Sequence, residues 1–298
     1  MIVKNESHVI KRCLDSVRPF IDTWTVVDTG STDGTQQIVQ DVLGHLPGTL
    51  HERPWVNFGH NRNEAVEFAR PAADYTLIVD ADEVLETPEG FSWPELTGDG
   101  YPLTMTSGSY TYRLVRLIAN RLPWTYIGSI HEYIHCDGAK DDFSLAELKI
   151  TGHFDGGRNT GLTTAQKYAR EAAEFEELIA AEPDNARYHY YLGRSYRLAE
   201  EWHKALAAFR QRATMGGWEE EVFDSLLTIA RLYEQTDAPS HAVVTAYLDA
   251  FEYRPSRAEP LHHLACYLRR HDRWALARAY AAQAAAIPRP AHGVLWVE

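Results

Sequence analysis

Only three cysteines, Cys13, Cys136 and Cys266, occur in the 298 residues. They are odd in number, far apart and without a CxxC pair, which argues against a disulfide framework or a cysteine-built zinc site and favours a reducing compartment. Long apolar runs are missing too, since no stretch approaches the roughly 18 apolar residues of a membrane-spanning helix. The opening MIVKNESHVIKR has too short an apolar stretch for a secretory signal. The expectation is a soluble cytoplasmic protein with no membrane span. Basic residues are scarce, 29 Lys and Arg against 42 Asp and Glu, for a formal charge of -13. Such a field repels a phosphate backbone and disfavours nucleic acid as a partner. Any anionic ligand must then be met by a local metal or arginine. What is present, 45% hydrophobic and 24% charged residues over this length, suits two globular domains.

Two short apolar runs rich in β-branched residues, Thr23 to Asp28 (TWTVVD) and Tyr75 to Asp80 (YTLIVD), read as buried strands, each ending at an Asp. Between them, Thr35 to Leu43 and Asn61 to Ala69 carry helical apolar spacing. That rhythm predicts a parallel sheet, with ligands beyond the carboxyl ends of its strands, where both aspartates fall. From Glu86 to Gly152 the pattern becomes irregular and aromatic, predicting short strands and loops. From Thr164 onward Ala, Leu, Glu and Tyr recur in helical periods. The predicted domains are an α/β domain over 1–160 and an all-α domain over 161–298.

The helical half repeats itself. Leu192-Gly193, Ile229-Ala230 and Leu264-Ala265 lie 37 and 35 residues apart, and Ala205, Ala242 and Ala277 each follow the small residue by twelve. With Tyr196, Trp202 and Phe209 in the first copy, this matches tetratricopeptide helix pairs, in which small residues allow close approach and aromatics fill the gaps.

Several motifs carry chemistry. In DTGSTDGT at 28–35 a strand end meets a glycine turn and a Ser/Thr/Asp set able to cap the next helix, the expected role of Ser31 and Asp33. Asp80-Ala81-Asp82 puts two carboxylates on one side of an extended segment, a hard-oxygen pair suited to Mg²⁺ or Mn²⁺. His131-Glu132-Tyr133-Ile134-His135 spells HExxH, yet that zinc motif works only on a helix. Its β-branched, aromatic and glycine-bearing flanks are poor helix formers, which argues against zinc proteolysis.

MIVKNE, VVDTGSTDGT (26–35), FGHNRNEAVEFA (58–69) and LIVDADE (77–83), with WTYIGSIHE (124–132) and a late Gly152-His153, together resemble family 2 glycosyltransferases of the GT-A fold. With tetratricopeptide-like helices following, the chain is similar to the bacterial group that includes sublancin-type peptide S-glycosyltransferases. In the family a few strand residues precede MIVKNE, so the first strand is expected to be short or to start upstream of Met1. The resemblance implies a Rossmann-like nucleotide-sugar domain in which Val3, Glu6, Asp28, Arg62, Asp80 and Ala81 hold the UDP-sugar. Asp28 would meet the uracil or ribose, and Arg62 the diphosphate. It implies a metal, Mn²⁺ or Mg²⁺, at Asp82 with Asp80 and His153, Asp80 being as well suited to the ribose. It also makes SIHEYI an extended wall of the acceptor site, with Glu132 the general base and His131 its helper. Asn63 is expected to order the backbone.

The resulting expectation is a metal-dependent inverting transfer of a sugar from a UDP-sugar to an acceptor, which the repeats would recruit as a peptide or protein. The alternative is an adaptor whose repeats bind a partner while the first domain is a degenerate shell. Homodimerisation through the helical domain is a further expectation for that half.

Overall fold

The computed structural model describes residues 1–108, 110–140, 145, 147–157 and 161–290. Two compact units divide the chain, Met1–Thr160 and Gly161–Glu298. Among the described residues no helix is long and apolar enough to cross a membrane.

The first unit opens with β1 (Ile2–Val3), α1 (Ile10–Val17), β2 (Trp24–Asp28), α2 (Thr35–Leu43), β3 (Gly48–Glu52) and α3 (Phe58–Ala69). Strands β1, β2 and β3 form a parallel sheet in that order, with Val3 opposite Asp28 and Asp28 opposite Glu52. The prediction of β2 and α2 holds, but β3 was not anticipated: GTLHE is half exposed and lacks a run of apolar residues. It is seated because Gly48 lies under the Trp24 ring, where an added Cβ would come within 2.5 Å of ring atoms. Helix α3 starts earlier than the apolar spacing indicates, since Asn57 accepts from the His60 N–H and caps it.

Next come β4 (Tyr75–Leu77), β5 (Glu83–Glu86), β6 (Gly100–Ser107), β7 (Tyr110–Ala119), β8 (Thr125–Ile127), β9 (Tyr133–His135) and β10 (Lys149–Gly152). The YTLIVD strand does not pair with β2. It joins a mixed sheet of order β4-β7-β6-β10-β5, antiparallel to β7. The expected single parallel sheet is therefore two sheets. The stretch expected to hold short strands and loops has them in β8, β9 and β10, but β6 and β7 also make a long hairpin there.

Helix α1 packs into two of the hydrophobic clusters of this unit, which explains its sequence. Ile10, Cys13, Leu14 and Val17 recur at 3–4 residue spacing and are all buried. Ile10 and Leu14 join the cluster of Val3, Trp24, Val26, Val39 and Ala81, whereas Cys13 and Val17 join that of Val79, Leu103, Met105 and Leu117. Positions beyond the strand ends are fixed by this packing.

The second unit is all-helical: α4 (Thr164–Ala181), α5 (Ala186–Leu198), α6 (Trp202–Thr214), α7 (Glu219–Gln235), α8 (Ser240–Tyr253), α9 (Glu259–Arg270) and α10 (Trp274–Ala286). The predicted copies fall on the pairs α5/α6, α7/α8 and α9/α10. Gly193 faces Phe209, whose ring lies 3.0 Å from where a Cβ would be, so close packing of α5 on α6 requires that glycine. Ala205 and Ala277 are buried at the matching small positions, while Ala242 is only partly so.

Candidate functional site

Three loops leave the carboxyl ends of β1, β2 and β4. The first two are sewn together by side chains of the DTGSTDGT segment. Ser31 Oγ accepts from Asn5 N at 2.9 Å, Thr35 Oγ1 from Glu6 N at 2.8 Å and Asp33 Oδ2 from Ser7 N at 2.9 Å. Asn5 returns a contact, its Oδ1 accepting from Thr32 N at 2.8 Å. Helix α2 is capped by left-handed Gly34 without a side-chain bond. Ser31 thus joins two loops instead of capping a helix, whereas Asp33 does both, its Oδ1 accepting from Thr35 N, the first residue of α2, at 3.1 Å.

Asp28 is fully buried at the end of β2. Its Oδ1 accepts from Gly30 N, Ser31 N and Gln36 Nε2 at 2.8 to 3.1 Å, while Oδ2 is buried with no partner. Burial raises the carboxyl, but the bonds from Ser31, Gly30 and Gln36 outweigh it and hold it below its ordinary range. Gln36 also lines a polar groove of about 450 Å³ with Ser31, Gln40 and Glu52. A second cavity of about 340 Å³ is walled mainly by apolar residues such as Leu14, Ile21 and Leu117, with Arg62 and Tyr126 also in its lining.

Asp80 follows β4 and meets two arginines. Arg62 Nη2 is 2.8 Å from Oδ1, and Arg116 Nη1 is 3.6 Å from Oδ2. Burial raises the Asp80 carboxyl, yet Arg62 and then Arg116 keep it below its usual range. Arg62 Nε also lies 2.6 Å from Glu132 Oε1, although the N–H is not aligned on the oxygen. Its guanidinium sits 5.5 Å from the Tyr126 ring centroid. Arg116 reaches Glu83 Oε1 at 2.6 Å, and Glu83 Oε2 accepts from Asp80 N at 2.8 Å. Burial pushes Glu83 up to about 7, with Arg116 opposing and Asp80 adding. Asn63 brackets Tyr126, giving to its carbonyl at 3.0 Å and accepting its N–H at 2.6 Å. It orders the backbone as the sequence suggests.

Asp82 has no ion pair among the described residues and points toward Glu6. A Cβ on Gly156 would lie 3.4 Å from both Asp82 Oδ2 and Glu6 Oε2. Burial, then Asp80, raise the Asp82 carboxyl; burial also raises Glu6, opposed by the Gly157 N–H that it accepts at 3.1 Å. Residues 153–157 hold this corner, with His8 Nε2 2.8 Å from Asp155 O and Arg12 forked onto the Asp155 carboxylate.

The expected ligand set meets the geometry unevenly. Among the described residues no three of His, Cys, Asp and Glu gather as a protein-built metal cage would need. Asp80 is engaged by two arginines, and the His153 side chain is exposed while its N–H donates to Asp82 O at 3.1 Å. What remains is one carboxylate, Asp82, crowded by Asp80 and Asp155. That donor set fits a Mg²⁺-like ion, which commonly takes one or two carboxylates and completes its shell with phosphate and water.

Val3 and Ala81 are core residues whose side chains face the hydrophobic cluster, and Val3 O accepts both Thr29 N and Thr29 Oγ1. His131 sits in the turn between β8 and β9 with φ 50°, and His135 pairs with Asp137 at 3.0 Å. The HExxH letters therefore span a hairpin, with no shared helical face for two zinc ligands. Sequence reasoning missed Glu83, Arg116, Tyr126 and Gln36. Glu83 adjoins Asp82 and could have been noticed; Arg116 reaches Asp80 only because β7 pairs with β4, which no local pattern announces.

The model of Glycosyl transferase family 2 matches residues 1–88, the span of β1 to β5. The α/β unit is GT-A-like and the helical unit tetratricopeptide-like. A TPR repeat-containing protein of Synechococcus elongatus is 31% identical over 147 residues, covering 45% of this chain and 34% of that protein. Glycosyltransferase SunS of Bacillus phage SPbeta is 24% identical over 277 residues, covering 85% of this chain and 61% of SunS. The chain thus spans between a third and two thirds of the curated relatives it matches. Among solved structures, S. aureus TarS 1–349 in complex with UDP overlaps at TM-score 0.37 and 13% identity, covering 86% of this chain and 88% of that one. So loose an overlap assigns nothing to this chain.

Proposed function

We propose that the chain is a glycosyltransferase that moves a sugar from a UDP-sugar to an acceptor with inversion at the anomeric carbon. The family 2 match over residues 1–88 supports the reaction class. The observation that carries the site is Asp28, a fully buried carboxylate at a strand end within that match, whose Oδ2 lacks any partner. An orphaned buried oxygen costs about 1–3 kcal/mol and is satisfied by a ligand N–H or O–H. A uracil N–H or a ribose hydroxyl supplies such a donor.

In this reading Asp28 and Gln36 bind the nucleoside and Glu6 closes its pocket. Asp82 offers its carboxylate to a divalent cation, which when bound neutralises charge on the departing diphosphate. Arg62 holds Asp80 and Glu132 in one ionic bridge. Glu132 takes the proton of the acceptor nucleophile as its lone pair forms the bond to the anomeric carbon. The bond from that carbon to the phosphate oxygen breaks, and UDP leaves with the electron pair from the opposite face. SunS, which this chain resembles over most of its length, bears the name of a glycosyltransferase. The helical unit would serve acceptor recruitment, for a peptide or protein.

Calorimetric titration of UDP with Mn²⁺ tests the nucleotide part. Wild type binds and Asp28→Ala loses at least about tenfold in affinity, the equivalent of one buried charged hydrogen bond. Absence of UDP binding in folded wild type would refute it.

A further inference from the structure

The half-buried and buried arginines of the helical unit mostly have an acid beside them. Arg187 and Arg212 meet Glu221, and Arg254 and Arg257 meet Glu220. Three others do not. Arg194 and Arg197 on α5 and Arg231 on α7 make no ion pair among the described residues, although all three are only partly exposed.

Their placement follows the repeat. Arg194 and Arg231 are 37 residues apart, the step that separates Leu192 from Ile229, so they hold the same position in successive helix pairs. Each comes directly after the small residue, Gly193 or Ala230, at the packing contact. Repeat-equivalent side chains leave equivalent helices in the same direction. Arg197 lies three residues beyond Arg194, on the same side of the helix. The Arg194 guanidinium is 5.8 and 5.6 Å from the ring centroids of Tyr190 and Tyr191. Arg231 Nη2 lies 3.0 Å from His263 Nε2 on α9, which extends the row to the third pair.

Among the described residues no carboxylate forms an ion pair with this row; Asp224, which attracts Arg194 and Arg197, instead accepts from Tyr190 Oη at 2.7 Å. A histidine that accepts from Arg231 is neutral and removes none of its charge. Arg197 is held below the ordinary guanidinium range, by burial first, with Arg194 and Arg231 adding and Asp224 opposing. In a chain of formal charge -13, three arginines grouped without an ion-pair partner among the described residues place local positive potential against the general field.

We propose that the row of Arg194, Arg197 and Arg231 is a docking site for an extended acidic peptide segment, whose Asp or Glu carboxylates supply the missing counter-charges. Two observations favour a peptide over a single small anion. The cations stand on two helices, α5 and α7, that belong to successive helix pairs. An extended chain advances about 3.3 Å per residue, so it can present a carboxylate to each helix in turn. Each guanidinium can take a carboxylate in a two-pronged bond. The site lies wholly within the helical unit and does not rest on the transferase reading.

Fluorescence anisotropy on the full chain, with labelled hexaglutamate and hexalysine and no sugar nucleotide present, tests it. Hexaglutamate binds, hexalysine does not, and added salt weakens the complex. The double variant Arg194→Gln/Arg231→Gln and the single variant Arg197→Gln each weaken hexaglutamate about tenfold or more. Circular dichroism confirms that each variant is folded before its binding is read. Arg278→Gln, at an exposed site on α10, binds like wild type. Equal binding of the two peptides, or wild-type affinity in the double variant, would overturn the proposal. So would full displacement of hexaglutamate by inorganic phosphate at the same molar concentration, which would mark a simple ion site.

Discussion

Arg62 and Asp80 lie 2.8 Å apart, and the same guanidinium stands 2.6 Å from Glu132. One cation from α3 therefore links the acid after β4 to the acid in the β8–β9 turn. The side chains of Arg62 and Glu132 are 14% and 10% exposed, so water screens the bridge poorly. Replacing Arg62 with Ala removes the cation beside Glu132 and leaves Asp80 only the longer contact to Arg116. The expected cost is about 3 kcal/mol of stability, read as a lower denaturation midpoint, with loss of transfer activity. Arg62→Lys keeps the charge but not the fork, so it should recover stability more than activity.

Glu132 and His135 separate the proposed base from the HExxH coincidence. Glu132→Gln should lower kcat by about a hundredfold or more, the usual worth of a general base, with UDP affinity retained. His135→Ala should leave both unchanged, since that ring is exposed and touches Asp137. Steady-state kinetics on the two variants checks this.

Gly59 tests how α3 is seated on the turn that carries Glu132. A Cβ there would come 2.0 Å from Gly128 O, a backbone atom that cannot rotate away. Gly59→Ala should destabilise the chain by about 1–3 kcal/mol. It should reduce kcat more than it weakens UDP binding, because Asp28 is held by β2 and α2.

The pH dependence of stability has a marked contributor in His263, whose ring is pushed down to about 4 by burial, then by Arg231 and His262, with Arg270 adding and Glu259 opposing. A histidine with a lowered folded pKa stays neutral while the unfolded chain takes up a proton. Its contribution is complete above about 6.5 and is lost as pH falls from there toward 4. The melting temperature should therefore drop across that window, and His263→Gln should flatten the slope there.

Much of the fold was legible where the signal is local. TWTVVD reads as a strand because its side chains are buried almost throughout, and Thr35 to Leu43 reads as a helix from its apolar spacing. The helix pairs were legible because each repeats the same small-residue contact. What stayed hidden depends on distant pairing. β3 has no apolar pattern of its own, and β4 lies beside β7 through a register between 75–77 and 117–119. That register brings Arg116 to Asp80, so half of the ionic frame around the DxD could not be read from its letters. The expectation of a three-ligand metal site ran ahead of the geometry, which leaves Asp82 as the carboxylate without an ion pair.

The central claim is that Asp82 and Asp28 serve one UDP-sugar site. Release of UDP from a panel of UDP-sugars should be followed with Mn²⁺ present and after its removal by chelation, for wild type, Asp82→Ala and Asp28→Ala. Wild type should turn over at least one donor, with turnover lost on chelation and in Asp82→Ala and with a raised KM in Asp28→Ala. Turnover that survives both chelation and Asp82→Ala, or folded wild type that neither binds UDP nor turns over any donor, would contradict it.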